Sequence, residues 1–131
     1  MNLNQYLQES LQKTYCVGDW DCALFVAEWV DRLAGANRLG HFRNAYKKKD
    51  EGLQKFGPLR RRVGHELEWL GFVHHETPEE GDVAIVRGGM VGIVSKVGDA
   101  LAVTTTLENA VQGGLITLPN HYAKGYYRWG R

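Results

Sequence analysis

The sequence predicts an α+β fold in which N-terminal helices pack on an antiparallel C-terminal sheet. Apolar residues recur at helical spacing in several segments between residues 3 and 70, which a loop over residues 35–44 interrupts. From residue 72 onward they alternate or form short runs that are bounded by turn residues. Helices that precede strands in this way are typical of α+β proteins. At 131 residues the chain can bury a core without disulfides or a metal, so we expect one domain over residues 1–131.

Four helices are expected in the first half of the chain. Their approximate ranges are 3–14, 22–34, 45–56 and 58–70. Asp21 has a side chain suited to cap the second helix, and Gly35 supplies its stop. Trp29 and Trp69 are expected to fill the space between the helices and the sheet. The helices should therefore cover one side of the sheet.

The second half of the chain predicts short strands separated by turns. Their ranges are 72–75, 82–86, 90–95, 101–106, 115–118 and 126–129. Gly88-Gly89 predicts a turn, and Gly98-Asp99 is typical of a tight hairpin. A loop is expected through Asn109 and Gly113-Gly114. The aromatic segment Tyr126–Trp129 is expected to dock into the sheet as a strand.

Charge and hydropathy exclude several function classes. The formal net charge is +1, and no apolar stretch approaches the roughly 18 residues of a membrane span. The basic clusters Lys47–Lys49 and Arg60–Arg62 lie near Glu51, Glu66 and Glu68, which is typical of solvated helix faces. We therefore expect no nucleic-acid partner and no membrane insertion. The start of the chain lacks the pattern of a secretory leader, which predicts synthesis in a cytoplasm.

No residue pattern indicates a metal or another cofactor. His74 and His75 are adjacent in a predicted strand, so their side chains point to opposite faces and do not converge on one ion. Cys16 and Cys22 are too few for a disulfide framework, and we expect both thiols to be reduced.

Cys22 occupies the first turn of the second predicted helix. The positive end of the helix dipole favours a thiolate there, as a nucleophile requires. Free cysteine is also among the most buried residue types, so the same position suits a core cysteine. Both interpretations stay open on this stretch alone.

Three short motifs surround this cysteine in a fixed order. They are Tyr15-x-x-Gly18 before Asp21-Cys22, Pro78-x-x-Gly81-Asp82-Val83, and Val91-Gly92-Ile93-Val94. Together they resemble the NlpC-type cell-wall cysteine peptidases of the papain-like superfamily, over most of the chain from Tyr15 onward. The resemblance implies a papain-like fold, with Cys22 as the nucleophile and Tyr15 and Asp21 beside it in the catalytic site. Peptidoglycan is the substrate that it implies.

The catalytic base of that family has no counterpart at the matching position. The family places a histidine directly before the Val-Gly-Ile strand, where this chain has Met90, and an orienting polar group near Thr104. Methionine does not accept a proton from a thiol, and general-base catalysis typically contributes roughly 10²–10⁴-fold. The remaining candidates do not match the required position. They are His65, His74, His75 and His121.

A narrower group of small proteins, encoded beside tail genes in tailed phages and prophages, is more similar still. Its pattern is matched by Gly18, Asp21–Phe25, Gly81–Val83, Gly92-Ile93 and Arg128-Trp129. This resemblance implies a tail-tip or tail-assembly component, a pseudoenzyme of NlpC-like fold that is made in the bacterial host and partners other tail proteins in the virion. The alternative is an active cysteine hydrolase that cleaves peptidoglycan peptides during phage entry, with Cys22 as nucleophile and a base recruited from elsewhere.

Overall fold

The computed structural model describes residues 2–37, 42–106 and 115–130, and it confirms the α+β class. Helices come first and an antiparallel sheet of six strands follows. The helices are α1 (Leu3–Ser10), α2 (Cys22–Ala34), α3 (Lys49–Phe56) and α4 (Leu59–Leu70). The strands are β1 (Phe72–His75), β2 (Val83–Val86), β3 (Met90–Val97), β4 (Ala100–Thr106), β5 (Leu115–Pro119) and β6 (Ala123–Trp129).

The strand order in the sheet is β1-β6-β2-β3-β4-β5. The aromatic strand β6 thus lies between β1 and β2 and docks into the sheet as expected. The β3–β4 hairpin is also confirmed, because Val97 pairs with Ala100 across Gly98, whose φ of 65° suits glycine. The predicted loop through Asn109 and Gly113-Gly114 lies outside the described residues.

Helix α2 has the bounds and caps that the sequence predicts. Asp21 is its N-cap and accepts a hydrogen bond from the Leu24 amide at 3.0 Å. Gly35 ends it in the left-handed conformation. Among the described helices, none is long and apolar enough to cross a membrane.

Two helix bounds differ from the expectation. Helix α1 ends at Ser10 rather than residue 14. The Ser10 hydroxyl donates to the Tyr6 carbonyl, and the next backbone amides bond to carbonyls three residues earlier, as in a 3₁₀ turn. Helix α3 starts at Lys49 rather than Ala45. The preceding segment instead bonds the turn before α2, with the Asn44 amide donating to the Gly18 carbonyl at 2.5 Å.

The main core lies between the helices and one face of the sheet. Its centre is formed by Phe25, Trp29, Leu67, Val91 and Ile93, each at most 3% exposed. A second cluster consists of strand residues. It includes Ala84, Val86, Val94, Val103 and Tyr126.

The two tryptophans that were expected in the core behave differently. Trp29 is buried, and its indole N–H donates to the Gly81 carbonyl at 2.9 Å. The expectation for Trp69 is wrong, since its side chain is 67% exposed. Trp69 follows buried Leu67 by two positions on α4, and residues two apart point to different sides of a helix.

Gly92 is required by the close approach of strand β4. A Cβ atom at this position would lie 2.6 Å from Val103 Cγ1 and 2.8 Å from the Thr104 carbonyl oxygen. The Gly92-Ile93 motif therefore has a packing reason, since the space that a side chain would need is filled by the neighbouring strand.

Asp82 and Arg128 form a two-pronged ion pair between the turn before β2 and the end of β6, the strand next to the edge strand β1. Arg128 Nε donates to Asp82 Oδ1 at 2.9 Å, and Nη2 donates to Oδ2 at 2.8 Å. Asp82 also accepts the Glu79 amide, and Arg128 donates to the Thr77 carbonyl. The hydrogen bonds to Asp82 and the negative charges of Asp82 and Glu79 raise the pKa of Arg128 above its ordinary value. The Gly-Asp and Arg-Trp motifs thus meet in one structural contact.

Candidate functional site

A cleft of about 450 Å³ opens beside the N-terminus of α2. It is lined by Tyr15, Asp21 and Cys22, so the structure brings the three candidate site residues together. Met90 lines the same cleft from the start of β3. The volume lies within the roughly 300–1,000 Å³ that is common for ligand sites.

Asp21 is held by three hydrogen bonds. Besides the cap to Leu24, its carboxylate accepts the Gly18 amide at 3.0 Å and the Tyr46 hydroxyl at 2.5 Å. The residue is only 7% exposed. Its role in the structure is therefore to fix the turn and the first residues of α2, on which Cys22 stands.

Tyr46 is a site residue that the sequence analysis missed. It lines the cleft, and burial together with the hydrogen bond to Asp21 raises the pKa of its hydroxyl well above the ordinary value. The nearby Cys22 and Tyr15 groups raise this pKa further. Arg43 reinforces the same segment by donating to the Asp19 carbonyl at 3.3 Å. No local sequence pattern predicts the role of Tyr46, since its hydrogen-bond partner Asp21 lies 25 residues earlier in the chain.

Tyr46→Phe is expected to lower the free energy of unfolding by about 1–3 kcal/mol at pH 8, because it leaves the Asp21 carboxylate with one donor fewer. The unfolded tyrosine releases its proton near pH 10, whereas the folded one keeps it because its pKa is raised. The stabilisation from Tyr46 is therefore complete below about pH 10 and falls as the pH rises further.

Urea unfolding of the two proteins at pH 8 and pH 11 measures both effects. The difference between wild type and Tyr46→Phe should shrink at the higher pH. Tyr122→Phe is the matched control, because the Tyr122 side chain is 44% exposed. If the stability difference between wild type and Tyr46→Phe were larger at pH 11 than at pH 8, the raised pKa of Tyr46 would be contradicted.

Cys22 is the first residue of α2 and is partly buried, while Cys16 is exposed. Neither cysteine forms a disulfide. Arg62 is the only cationic side chain among the described residues that line the cleft, and its Nη2 is paired with Glu66 Oε1 at 3.1 Å.

None of the described histidines lines this cleft. His65 and His74 line a separate groove between α4 and β6. His75 contacts Arg128, with 3.2 Å between His75 Nδ1 and Arg128 Nη1. His121 is exposed in a 3₁₀ turn, against the Tyr122 ring. His41 lies outside the described residues.

Met90 and Thr104, at the positions where the resemblance predicts a base and its orienting group, have different surroundings. Met90 lines the cleft and packs against the second core cluster. The Thr104 hydroxyl is buried and lies 2.6 Å from the Ser95 hydroxyl, so it is engaged within the sheet. Thr106, two residues further along β4, is the threonine that lines the cleft. No pattern in the sequence distinguishes Thr106 from the threonines beside it.

Acidic, histidine and cysteine side chains do not gather into a metal site in the part of the chain that the structure describes. No group of three or more of them is placed to hold an ion. The groove with His65 and His74 also contains Glu68, but the Glu68 carboxylate accepts the Tyr127 hydroxyl at 3.5 Å.

These features define an α+β domain with a cysteine at a helix N-terminus that lines a mainly apolar cleft. Residues 1–129 match the model of the family described as Domain of unknown function (DUF6950), and the chain belongs to that family. Comparisons with curated proteins and with solved structures gave no significant match.

Proposed function

We propose that this domain is a tail-tip or tail-assembly component of a tailed phage, with an NlpC-like fold that has lost peptidase activity. One observation carries the loss of activity. Cys22 and Met90 line the same cleft, and none of the described histidines does. The tail role is supported by the motif resemblance from Gly18 to Arg128-Trp129.

The contents of the cleft explain why hydrolysis is not expected. A thiol nucleophile requires a partner that takes its proton, and a methionine thioether does not serve at neutral pH. The Arg62 guanidinium is paired with Glu66 and stacks over the Phe42 ring, with its Cζ 5.1 Å from the ring centroid. The Asp21 carboxylate is occupied by its three donors. The cleft therefore has the shape of a catalytic site, but its described lining offers no group that would accept the Cys22 proton.

Cys22 is expected to react with a thiol reagent at pH 7 no faster than a small model thiol. The Cys16→Ser background makes Cys22 the only thiol, because the chain has two cysteines. The same protein should release no fragments from purified peptidoglycan. Alkylation rates and chromatography of the digest measure these outcomes. Rapid alkylation together with cleavage that Cys22→Ala abolishes would establish the active hydrolase instead.

A complementation assay tests the role in the phage. Cys22→Ala is expected to support tail assembly and infection at the wild-type level, since the proposed role needs no nucleophile. Cys16→Ser is the control for loss of a thiol elsewhere. Loss of infection with Cys22→Ala alone, in a variant that melts at the wild-type temperature, would contradict the proposal.

A further inference from the structure

The cleft beside α2 has mainly apolar walls. Among its linings are Leu24, Val26, Leu59, Val63 and Met90. Only Asp21 and Arg62 bring a formal charge among the described residues that line it. A ligand of matching chemistry would bury apolar groups there.

Both charges are satisfied within the protein. Asp21 accepts three hydrogen bonds and is 7% exposed, so a cationic ligand would have to displace one of its donors. Arg62 is held by Glu66 at 3.1 Å, so an anionic ligand would have to compete with that carboxylate and would also approach Asp21. Burying an unpaired charge is costly, so these walls favour an uncharged occupant.

Thr106 supplies an independent sign of a missing partner. Its side chain is 1% exposed, and within the described part of the chain its Oγ1 has no hydrogen-bond partner. The two preceding threonines differ, because Thr104 Oγ1 lies 2.6 Å from Ser95 Oγ and Thr105 Oγ1 donates to the Val91 carbonyl. Native proteins rarely leave a buried hydroxyl unsatisfied.

The Thr106 side chain lies on the face of the sheet that borders the cleft. Thr104 pairs with Ile93, which belongs to the core cluster that faces the helices. Residues two apart on a strand share a face, so Thr106 points to the same side, and it lines the cleft. A ligand with one amide or carbonyl group could satisfy the hydroxyl as its apolar part fills the cleft.

We infer that this cleft binds an uncharged, apolar peptide segment of a partner protein, with a peptide group of the segment hydrogen-bonded to Thr106. The inference rests on the proposed non-catalytic function and names the occupant of that same site. An amide both donates and accepts, which suits a hydroxyl. A charged stem peptide of the cell wall lacks this complementarity.

The two methionines make the test direct, since Met90 lines the cleft and Met1 is the other. Protein labelled with ¹³C at the methionine methyl groups is titrated with acetyl-Ala-Leu-Ala-amide. Met90→Leu assigns the signals. The Met90 signal should shift and saturate with a Kd of about 1 mM or tighter. Thr106→Val should weaken binding about five- to tenfold, and Thr106→Ser should restore most of it.

Three further peptide or lipid probes decide what the cleft selects. Acetyl-Ala-Glu-Ala-amide and a charged stem peptide should bind at least about fivefold more weakly than the leucine peptide. Decanamide, an uncharged acyl amide, tests a lipid source, and tighter binding of decanamide than of the peptide would overturn the inference. Equal binding of the charged peptides, or no saturable shift at about 10 mM leucine peptide, would overturn it as well.

Thermal melting separates a ligand role from a structural one. Val has nearly the shape of Thr, so Thr106→Val should melt at or above the wild-type temperature while it loses affinity, because an unsatisfied hydroxyl is removed. A lower melting temperature with unchanged affinity would assign Thr106 to the fold alone. Failure of binding leaves the proposed function standing, whereas cleavage of peptidoglycan that depends on Cys22 overturns the proposed function whatever the peptide does.

Discussion

Asp82→Ala is expected to reduce the free energy of unfolding by about 2–4 kcal/mol, because it removes the buried carboxylate that accepts two hydrogen bonds from Arg128. Among the described residues, only the exposed Glu79 carboxylate, whose Oε2 lies 3.1 Å from Arg128 Nε, would remain as a counter-ion. The Arg128 side chain is 22% exposed and that of Asp82 is 2% exposed. The substitution also removes the acceptor of the Glu79 amide. The effect should be visible in urea unfolding at pH 7 as a lower midpoint with an unchanged slope.

Two further variants separate charge from geometry. Arg128→Lys keeps the charge but cannot form the two-pronged contact, so an intermediate loss is expected. Glu9→Gln breaks an exposed pair with Arg32, in which the Glu9 side chain is 48% exposed, and should change stability by no more than about 0.5 kcal/mol. A loss below about 1 kcal/mol for Asp82→Ala would contradict the structural importance of the pair.

Gly18→Ala is expected to destabilise the protein by about 2–5 kcal/mol, through backbone strain and a steric clash together. Gly18 has a φ of 85°, and a Cβ atom there would fall 1.8 Å from the Tyr46 carbonyl oxygen. The segment that carries Tyr46 must therefore move away from the turn, which breaks the contact with Asp21. Urea unfolding measures the loss, and near-ultraviolet circular dichroism reports the displaced aromatic ring.

Gly88→Ala is the matched control for this prediction. Gly88 has nearly the same φ of 84°, but a Cβ there would meet no atom of the described residues within 4 Å. It should therefore show only the strain of the left-handed conformation, about 1–2 kcal/mol. Equal losses for the two alanine variants would mean that the Tyr46 segment does not press on the turn.

Local sequence patterns were sufficient for much of the fold. The cap at Asp21, the stop at Gly35 and the period of α2 depend on residues close in sequence, and the structure confirms them. The alternation that predicts the strands is equally local. The proximity of Tyr15, Asp21 and Cys22 was also predictable, because they lie within one turn and the start of one helix.

The missed features depend on contacts between distant segments. Helix α3 starts late because residues 42–46 bond to the turn before α2, which no local propensity describes. The expectation that Trp69 is buried followed from its large apolar ring, whereas the side of α4 on which it lies points outward. Thr106 looked like its two neighbours, and only the hydrogen bonds of Thr104 to Ser95 and of Thr105 to Val91 distinguish their hydroxyls from that of Thr106.

The position of β6 has a consequence for the order of folding. Its neighbours β1 and β2 precede it in the chain, yet neither of them completes its pairing in the sheet until β6 inserts between them. During synthesis on the ribosome, β1 emerges long before its only partner strand. Such long-range pairing raises the contact order and slows folding. We therefore expect the nascent chain to expose strand edges until β6 is released, a period in which chaperones would protect it from aggregation.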